Sequence, residues 1–225
     1  MMNGDLIPPN EKETGRLEAF SDGIFAIAIT LLGLTLQVPD LGEDISSTAL
    51  AEALGQLWPS YIAFAISFFT ILIVWLNHHA VFGLVRRADF LFLLANGFLL
   101  MLVTVVPITT EVATRYLGTP AASAATAVYA GTLFMVTVFH NLLWLSATYN
   151  RRLLKPSTPE SYVRILTRNY LLGLPLYATA IVLAFWNVYV SLGLCTLLWL
   201  IWALTPRGRP VTLPIARRQT ADGSP

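Results

Sequence analysis

The chain has 225 residues, of which 56% are hydrophobic and 12% are charged, and its formal net charge is +1. Because about a quarter of the residues in a typical soluble domain are charged, this composition excludes an ordinary soluble protein and indicates an all-α membrane protein with several spans. The single cysteine, Cys195, lies in an apolar run and has no partner for an intrachain disulfide.

The first predicted span covers about residues 20–38, close to the ~20 residues that a helix needs to cross the hydrocarbon core. Four of its side chains recur at helical spacing and therefore share one face. They are Ile27, Thr30, Leu31 and Leu34. This face either packs among neighbouring helices, as in any membrane bundle, or lines a pore.

Five further apolar segments complete a prediction of six transmembrane helices. They cover about residues 58–82, 90–109, 125–148, 166–185 and 188–204. Residues 40–57, between the first two spans, contain four acidic side chains and no Lys or Arg, and predict a loop with a short amphipathic turn from Ser46 onward. Pro107 is expected in the last turn of the third span, and Gly173 and Pro175 are candidate breaks in the fifth.

One transmembrane domain is expected over residues 1–206, and its last two helices are expected to form a tight hairpin at Trp186 and Asn187. Residues 207–225 are polar and are expected to be a disordered cytoplasmic tail. Six spans put both termini on one side of the membrane. With that side in the cytoplasm, 13 of the 14 Lys and Arg residues are internal and only Arg115 is external, as the positive-inside rule requires.

Polar side chains gather where the first three spans approach the cytoplasmic side. A charge inside an apolar span costs ~2.5–3.5 kcal/mol on translocon scales, so Asp22 and His78, at similar depth, each need a partner. We therefore predict a buried polar cluster that holds the first span against the second and third. Its members are Arg16, Ser21, Asp22, Trp75, His78 and Asn96. In the alternative, Asp22 only caps the start of a helix and His78 extends to the interface.

Other chemistry has little support in the sequence. His78 and His79 point about 100° apart on a helix, and no Cys or carboxylate stands beside them at ligand spacing, so no metal site is expected. There is no GxSxG nucleophile motif, phosphate loop or dinucleotide fingerprint, so neither an enzyme nor a nucleic-acid-binding protein is expected. His140, in the fourth span, is expected to hydrogen-bond to a neighbouring helix.

Each of the first three spans carries a distinctive motif. The first span has Arg16, Phe20, Ser21 and Asp22, followed by FAIAITLLGL. The second has Trp75, His78 and Phe82, and the third has Asn96 and Pro107. These motifs resemble those of the first three helices of a known family, the transmembrane protein 175 family of potassium channels. The resemblance is specific over about residues 16–110 and is only topological beyond them.

The resemblance implies a homotetramer in which four six-helix subunits surround a pore lined by the first helix. It further implies that Ile27 forms the central hydrophobic constriction and that the Thr30 hydroxyl contributes to ion selectivity. Leu31 and Leu34 would add apolar layers further toward the outside, and the polar cluster would be the interhelical network. The family lacks the TVGYG filter of ordinary potassium channels, as does this chain, so a filter of backbone carbonyls is not expected.

These observations lead us to expect a potassium-preferring cation channel with passive flux, located in the plasma membrane of a prokaryote and needing no cofactor. Its partners would be further copies of itself, the lipid bilayer and monovalent cations. A second hypothesis is a proton-coupled small transporter or proton-conducting pathway in which Asp22 and His78 exchange protons, since histidine titrates nearest physiological pH. A third is a structural membrane protein without transport.

Overall fold

The structure, a computed structural model, describes residues 9–36, 40–42 and 46–204, with side chains from residue 14 to residue 203. This part of the chain is almost entirely helical. Its α-helices are α1 (Pro9–Leu31), α2 (Ser47–Gln56), α3 (Trp58–Leu84), α4 (Phe90–Tyr116), α5 (Ala122–Thr148), α6 (Glu160–Ala184) and α7 (Val188–Leu204). A 3₁₀ turn, Leu32–Thr35, continues α1, and another, Tyr149–Arg151, follows α5.

The predicted all-α membrane architecture is confirmed. Among the described residues, five helices are long and apolar enough to cross a bilayer, and they correspond to the first five predicted spans. The sixth predicted span is α7, which has 17 residues and at 1.5 Å per residue is about 25 Å long. It is joined to α6 by the predicted hairpin, in which the Asn187 side chain accepts hydrogen bonds from the backbone N–H groups of Tyr189 and Val190.

The loop after the first span contains the short helix expected near Ser46. The Ser46 hydroxyl accepts a hydrogen bond from the Ala49 backbone N–H at 3.2 Å, which satisfies a donor that the first turn of α2 would leave unpaired. Gln37 and Pro39, the expected end of the first span, lie outside the described residues, as do Glu43, Asp44 and the tail over residues 207–225.

Prolines were expected to end or break two spans, and both expectations are wrong. Pro107 is buried inside α4, which continues to Tyr116, and Pro175 lies inside a continuous α6. Tertiary contacts maintain α4 beyond the proline, because the Thr110 hydroxyl lies 2.7 Å from the Ser67 hydroxyl of α3. Neighbouring helices commonly stabilise proline-containing spans in this way.

The helices pack around a central pair, α4 and α5, with α1 and α3 against α4 and with α6 and α7 against α5. α1 packs against α3 and α4, α4 lies along α5, and α6 and α7 cover the other side of α5. The loops after α3 and α5 are tied together by backbone hydrogen bonds from Arg86 to Leu153 and from Lys155 to Leu84, both 2.9 Å long. α1 packs on α3 and α4, which carry three of the six residues of the predicted polar cluster, and α1 itself carries the other three.

Candidate functional site

α1 has two faces that differ in burial. Ser21, Phe25, Ala28 and Leu32 recur at spacings of four, three and four residues and are buried against the rest of the chain, as a helix with one packed face requires. The opposite face carries the four residues singled out from the sequence. Of these, Ile27 is 57% exposed and Leu34 is 75% exposed, and Thr30 and Leu31 are also exposed. This largely apolar face of α1 is thus not used in packing the subunit.

The 3₁₀ turn aligns the outer part of this face. Side chains three residues apart eclipse each other in a 3₁₀ helix, so Leu34 follows Leu31 along one line. One turn earlier, the Thr30 hydroxyl donates a hydrogen bond to the Ile27 carbonyl at 2.8 Å. Because the hydroxyl proton is used within the helix, the oxygen presents its lone pairs outward. Lone pairs are what a cation requires.

A buried chain of hydrogen bonds connects three helices. The Asn96 side chain of α4 lies 2.8 Å from His78 Nε2 of α3, and its Nδ2 donates to the Ser21 hydroxyl of α1 at 3.0 Å. Ser21 in turn donates to the Leu17 carbonyl at 2.9 Å. Since a carbonyl can only accept, each step fixes the direction of the next, and Nε2 of His78 is the nitrogen that carries the proton.

His78 is fully buried, with 0% of its surface exposed. Its ring lies between those of Phe25 and Phe82, with centroid separations of 5.2 Å and 4.4 Å. The alternative in which this histidine extends to the membrane interface is therefore wrong. The ring thus has aromatic neighbours on two sides and the uncharged Asn96 side chain as its hydrogen-bond partner.

Asp22 is held by the indole of α3, whose Trp75 Nε1 donates to Asp22 Oδ1 at 2.8 Å. The alternative in which Asp22 only caps a helix is also wrong, because α1 begins at Pro9, thirteen residues earlier, and that distance is more than three turns at ~3.6 residues per turn. The structure thus brings five of the six predicted polar residues together. Arg16 is exposed, and within the described residues no hydrogen bond or ion pair joins it to the others.

The sequence analysis missed one contact beside this cluster. His79 Nδ1 lies 2.9 Å from Glu18 Oε1, and the His79 ring stacks on Trp75 with a centroid separation of 5.8 Å. Glu18 and Asp22 are four residues apart on α1, as are Trp75 and His79 on α3, so the two helices meet through two successive polar contacts. The matching spacing of the two pairs was the signal that could have revealed it.

Two further expectations concern histidine. The described residues hold no group of three or more His, Cys, Asp or Glu side chains arranged for a metal ion. The predicted hydrogen bond from His140 to a neighbouring helix is wrong for this part of the chain, because neither ring nitrogen has a partner among the described residues. Its ring instead packs edge-on against Tyr170, with centroids 4.7 Å apart.

Comparison with known proteins places these features in a family. The family model described as the endosomal/lysosomal potassium channel TMEM175 matches residues 16–107. A protein named as a potassium channel from Chamaesiphon minutus is 45% identical over 196 residues, covering 87% of this chain and 96% of that relative. The chain belongs to the TMEM175 family.

The fold also matches a solved structure of a TMEM175 protein. A crystal structure described as a lysosomal potassium-selective channel TMEM175 homolog from Chamaesiphon minutus aligns with a TM-score of 0.77 and 44% identity, covering 86% of this chain and 97% of that chain. The TMEM175 of Bos taurus, named as an endosomal/lysosomal proton channel, is 32% identical over 150 residues. That alignment covers 64% of this chain and 31% of the bovine protein.

Proposed function

We propose that this chain is the subunit of a potassium channel, in which the exposed face of α1 lines a central pore. The observation that carries the proposal is the exposure of Ile27, Thr30, Leu31 and Leu34 on a helix whose opposite face is buried. Membership of the TMEM175 family and the names of the relatives from Chamaesiphon minutus support potassium as the permeant ion.

The proposed assembly is a homotetramer, as the family resemblance implies. One α1 helix presents one face and cannot enclose a pathway, so several copies must bring this face to a common axis. Closed symmetry is usual for soluble homo-oligomers, and a closed ring of identical subunits would bring the α1 faces together in this way. In this arrangement the exposed apolar side chains of α1 face each other across the pore rather than lipid.

Conduction is controlled by an apolar constriction. A ring of Ile27 side chains narrow enough to exclude water closes the path by dewetting, and opening must widen or rotate that ring. Potassium holds its hydration shell less tightly than sodium, so a short dry constriction penalises potassium less. The outward lone pairs of Thr30, whose hydroxyl proton is bound to the Ile27 carbonyl, replace part of the water that the ion loses. No cofactor is required.

The buried hydrogen-bonded chain sets the orientation of α1. Ser21 accepts a hydrogen bond from Asn96 of α4, and Asp22 accepts one from Trp75 of α3. Rotation of α1 about its axis would break both bonds, so they keep Ile27 on the opposite face directed away from the subunit. These polar residues are positioning residues for the pore rather than ion ligands.

The proposed location is the plasma membrane of a prokaryote, with both termini in the cytoplasm. In this orientation 13 of the 14 Lys and Arg residues are internal, in agreement with the positive-inside rule. The loop before α3 is then external, where the exposed carboxylates of Asp40 and Glu52 are repeated around the ring and raise the local cation concentration. With a Debye length of ~8 Å at physiological salt, this effect is modest.

The proposal is tested by ion flux into liposomes that contain the purified full chain, under opposing potassium and proton gradients. A channel gives fast flux that follows the potassium gradient, a proton-coupled transporter gives slow flux that depends on both gradients, and a structural protein gives none. Four-fold symmetry of the particle, determined by single-particle imaging, tests the assembly separately.

A matched pair of variants tests whether α1 lines the pathway. Ile27→Trp places a larger ring at the constriction and should abolish flux. Ile108→Trp makes the same change on α4 at a side chain that is 62% exposed, similar to the 57% of Ile27, and should leave flux unchanged. Equal flux through both assembled variants would contradict the assignment of α1 to the pore.

A further inference from the structure

A small cavity lies between α3, α5, α6 and α7, and several of the side chains that line it are polar. Its volume is about 60 Å³, and it is lined by side chains of α3, α5, α6 and α7, including His140, Asn141 and Trp199. Neither the candidate pore face nor the Ser21–Asn96–His78 chain contributes a residue to it. It is therefore a separate site.

Four buried polar atoms at this cavity have no hydrogen-bond partner among the described residues. They are His140 Nδ1, His140 Nε2, Asn141 Oδ1 and Trp199 Nε1. His140 is 7% exposed and Asn141 is 3% exposed, so bulk water does not reach them freely. Burying a polar atom without a hydrogen-bond partner is unfavourable, and four such atoms on the residues that line one small cavity indicate that something binds there.

The polarity of these atoms identifies the kind of molecule. The Trp199 indole N–H can only donate, and a neutral imidazole both donates and accepts. The Asn141 side chain offers the cavity only an acceptor, its oxygen, because both hydrogens of its amide are directed at the carbonyls of Thr137 and Tyr170, at 2.9 Å and 3.0 Å. The hydroxyls of Thr70 and Thr137 donate to carbonyls of their own helices and so present further lone pairs. The cavity therefore offers both donors and acceptors.

Cations, anions and lipid chains do not match the donors and acceptors of this cavity. A bare cation would face the N–H groups of Trp199 and His140, and an anion would face the oxygen of Asn141. A lipid chain would leave all four polar atoms unpaired and would not fit in about 60 Å³. Water has two donors and two acceptors, and a molecule of it takes up about 30 Å³ in the liquid, so the volume accommodates one or two.

We propose that the cavity between α3, α5, α6 and α7 is a binding site for one or two water molecules, which bridge His140 and Asn141 of α5 to Trp199 of α7. The water molecules supply the hydrogen bonds between these helices that direct side-chain contacts do not. The inference does not depend on what the protein conducts, since none of these residues lies on the proposed pore face.

Trp144 provides a matched control within the same helix group. Its indole Nε1 donates to the Thr167 hydroxyl at 2.8 Å, and the side chain is only 1% exposed, so it has a protein partner and no need of water. Trp199 and Trp144 therefore differ in whether the indole N–H has a hydrogen-bond partner in the protein. The NMR signal of each indole proton is assigned by its absence from the spectrum of Trp199→Phe or Trp144→Phe.

The test is magnetisation transfer from water to tryptophan indole protons, measured by proton-detected solid-state NMR on the full-length protein in liposomes. The Trp199 indole should receive water magnetisation at short mixing times, several-fold more than Trp144. His140→Leu, which removes two partners of the bound water and fills part of the cavity, should reduce the Trp199 signal to the Trp144 level. Transfer to Trp199 no greater than to Trp144 in the wild-type protein would overturn the proposal, whether or not His140→Leu assembles. Undiminished transfer in an assembled His140→Leu variant would also overturn the bridging role of His140.

Discussion

Asn96 connects three helices because the two ends of its amide have different partners. Its oxygen accepts from His78 of α3, and its nitrogen donates to Ser21 of α1. Each partner is itself fully buried, so no water can replace a lost bond. In a bilayer, where association of helices has no hydrophobic driving force, such polar contacts and close packing decide which faces meet.

His78→Ala should lower the free energy of unfolding by about 2–3 kcal/mol, because it leaves a cavity between two phenylalanine rings and removes the donor to Asn96. His79→Ala is the matched control. The His79 side chain is 59% exposed at its contact with Glu18, so its loss should cost less than about 1 kcal/mol. Denaturant titration of both variants in detergent measures the difference, and equal losses would remove the structural role assigned to His78.

Thr30 is the residue whose hydroxyl we expect to contribute to the preference for potassium over sodium. Thr30→Ala removes the oxygen lone pairs from the α1 face and should lower the preference for potassium over sodium by about two- to tenfold, the factor for ~0.5–1.5 kcal/mol. Thr30→Ser keeps the hydroxyl and should retain the preference. The measurement is the reversal potential with potassium and sodium on opposite sides of a bilayer. A reversal potential unaltered in Thr30→Ala would exclude the hydroxyl role.

At the scale of the element, α1 combines a buried face and an exposed face in one apolar helix. The buried face is fixed twice, by the Ser21–Asn96 bond and by the Asp22–Trp75 bond. The exposed face has apolar side chains on both sides of Thr30, so its hydration depends on how closely the copies approach. The buried face attaches the helix to its own subunit, and the exposed face remains available to line the pore.

Ile27→Asn should raise potassium flux, because a polar ring at the constriction stays hydrated and removes the dewetting barrier. The rate should rise about tenfold for each ~1.4 kcal/mol removed from that barrier. Ile108→Asn on α4 makes the same change at an exposed position outside the proposed pore and should leave flux near the wild-type level. Flux assays in liposomes distinguish the two, and a wild-type rate in assembled Ile27→Asn would mean that Ile27 is not the constriction.

At the scale of the whole molecule, the distribution of basic residues predicts how the subunit sits in the membrane. The loops after α3 and α5 contain Arg86, Arg87, Arg151, Arg152 and Lys155, and backbone hydrogen bonds tie these two loops together. A single basic surface therefore forms at one end of the bundle. The positive-inside rule assigns that end to the cytoplasm.

Cysteine labelling tests this orientation. The native Cys195 is 1% exposed and should give little background. Ser157→Cys, in the exposed loop after α5, should react with a membrane-impermeant thiol reagent only from the cytoplasmic side. Thr119→Cys, in the exposed loop after α4, should react only from outside. Labelling of intact cells and of inverted vesicles measures both, and the reverse pattern would invert the proposed topology.

The amino-acid sequence by itself determined the class of fold, the positions of the helices and the membership of the polar cluster, apart from Arg16. These features depend on the length and periodicity of apolar runs and on the high cost of polar groups in lipid, which act locally along the chain. The face of α1 that carries Ile27 was likewise readable from spacing.

Only the tertiary structure decided which neighbours those residues meet. Continuation of α4 past Pro107, the Glu18–His79 contact and the cavity at His140 all depend on side chains from helices that are distant in sequence. Spacing along one helix gives the direction of a side chain but not the partner opposite it. The partner is set by how closely packed helices align, and that alignment is a property of the assembled bundle.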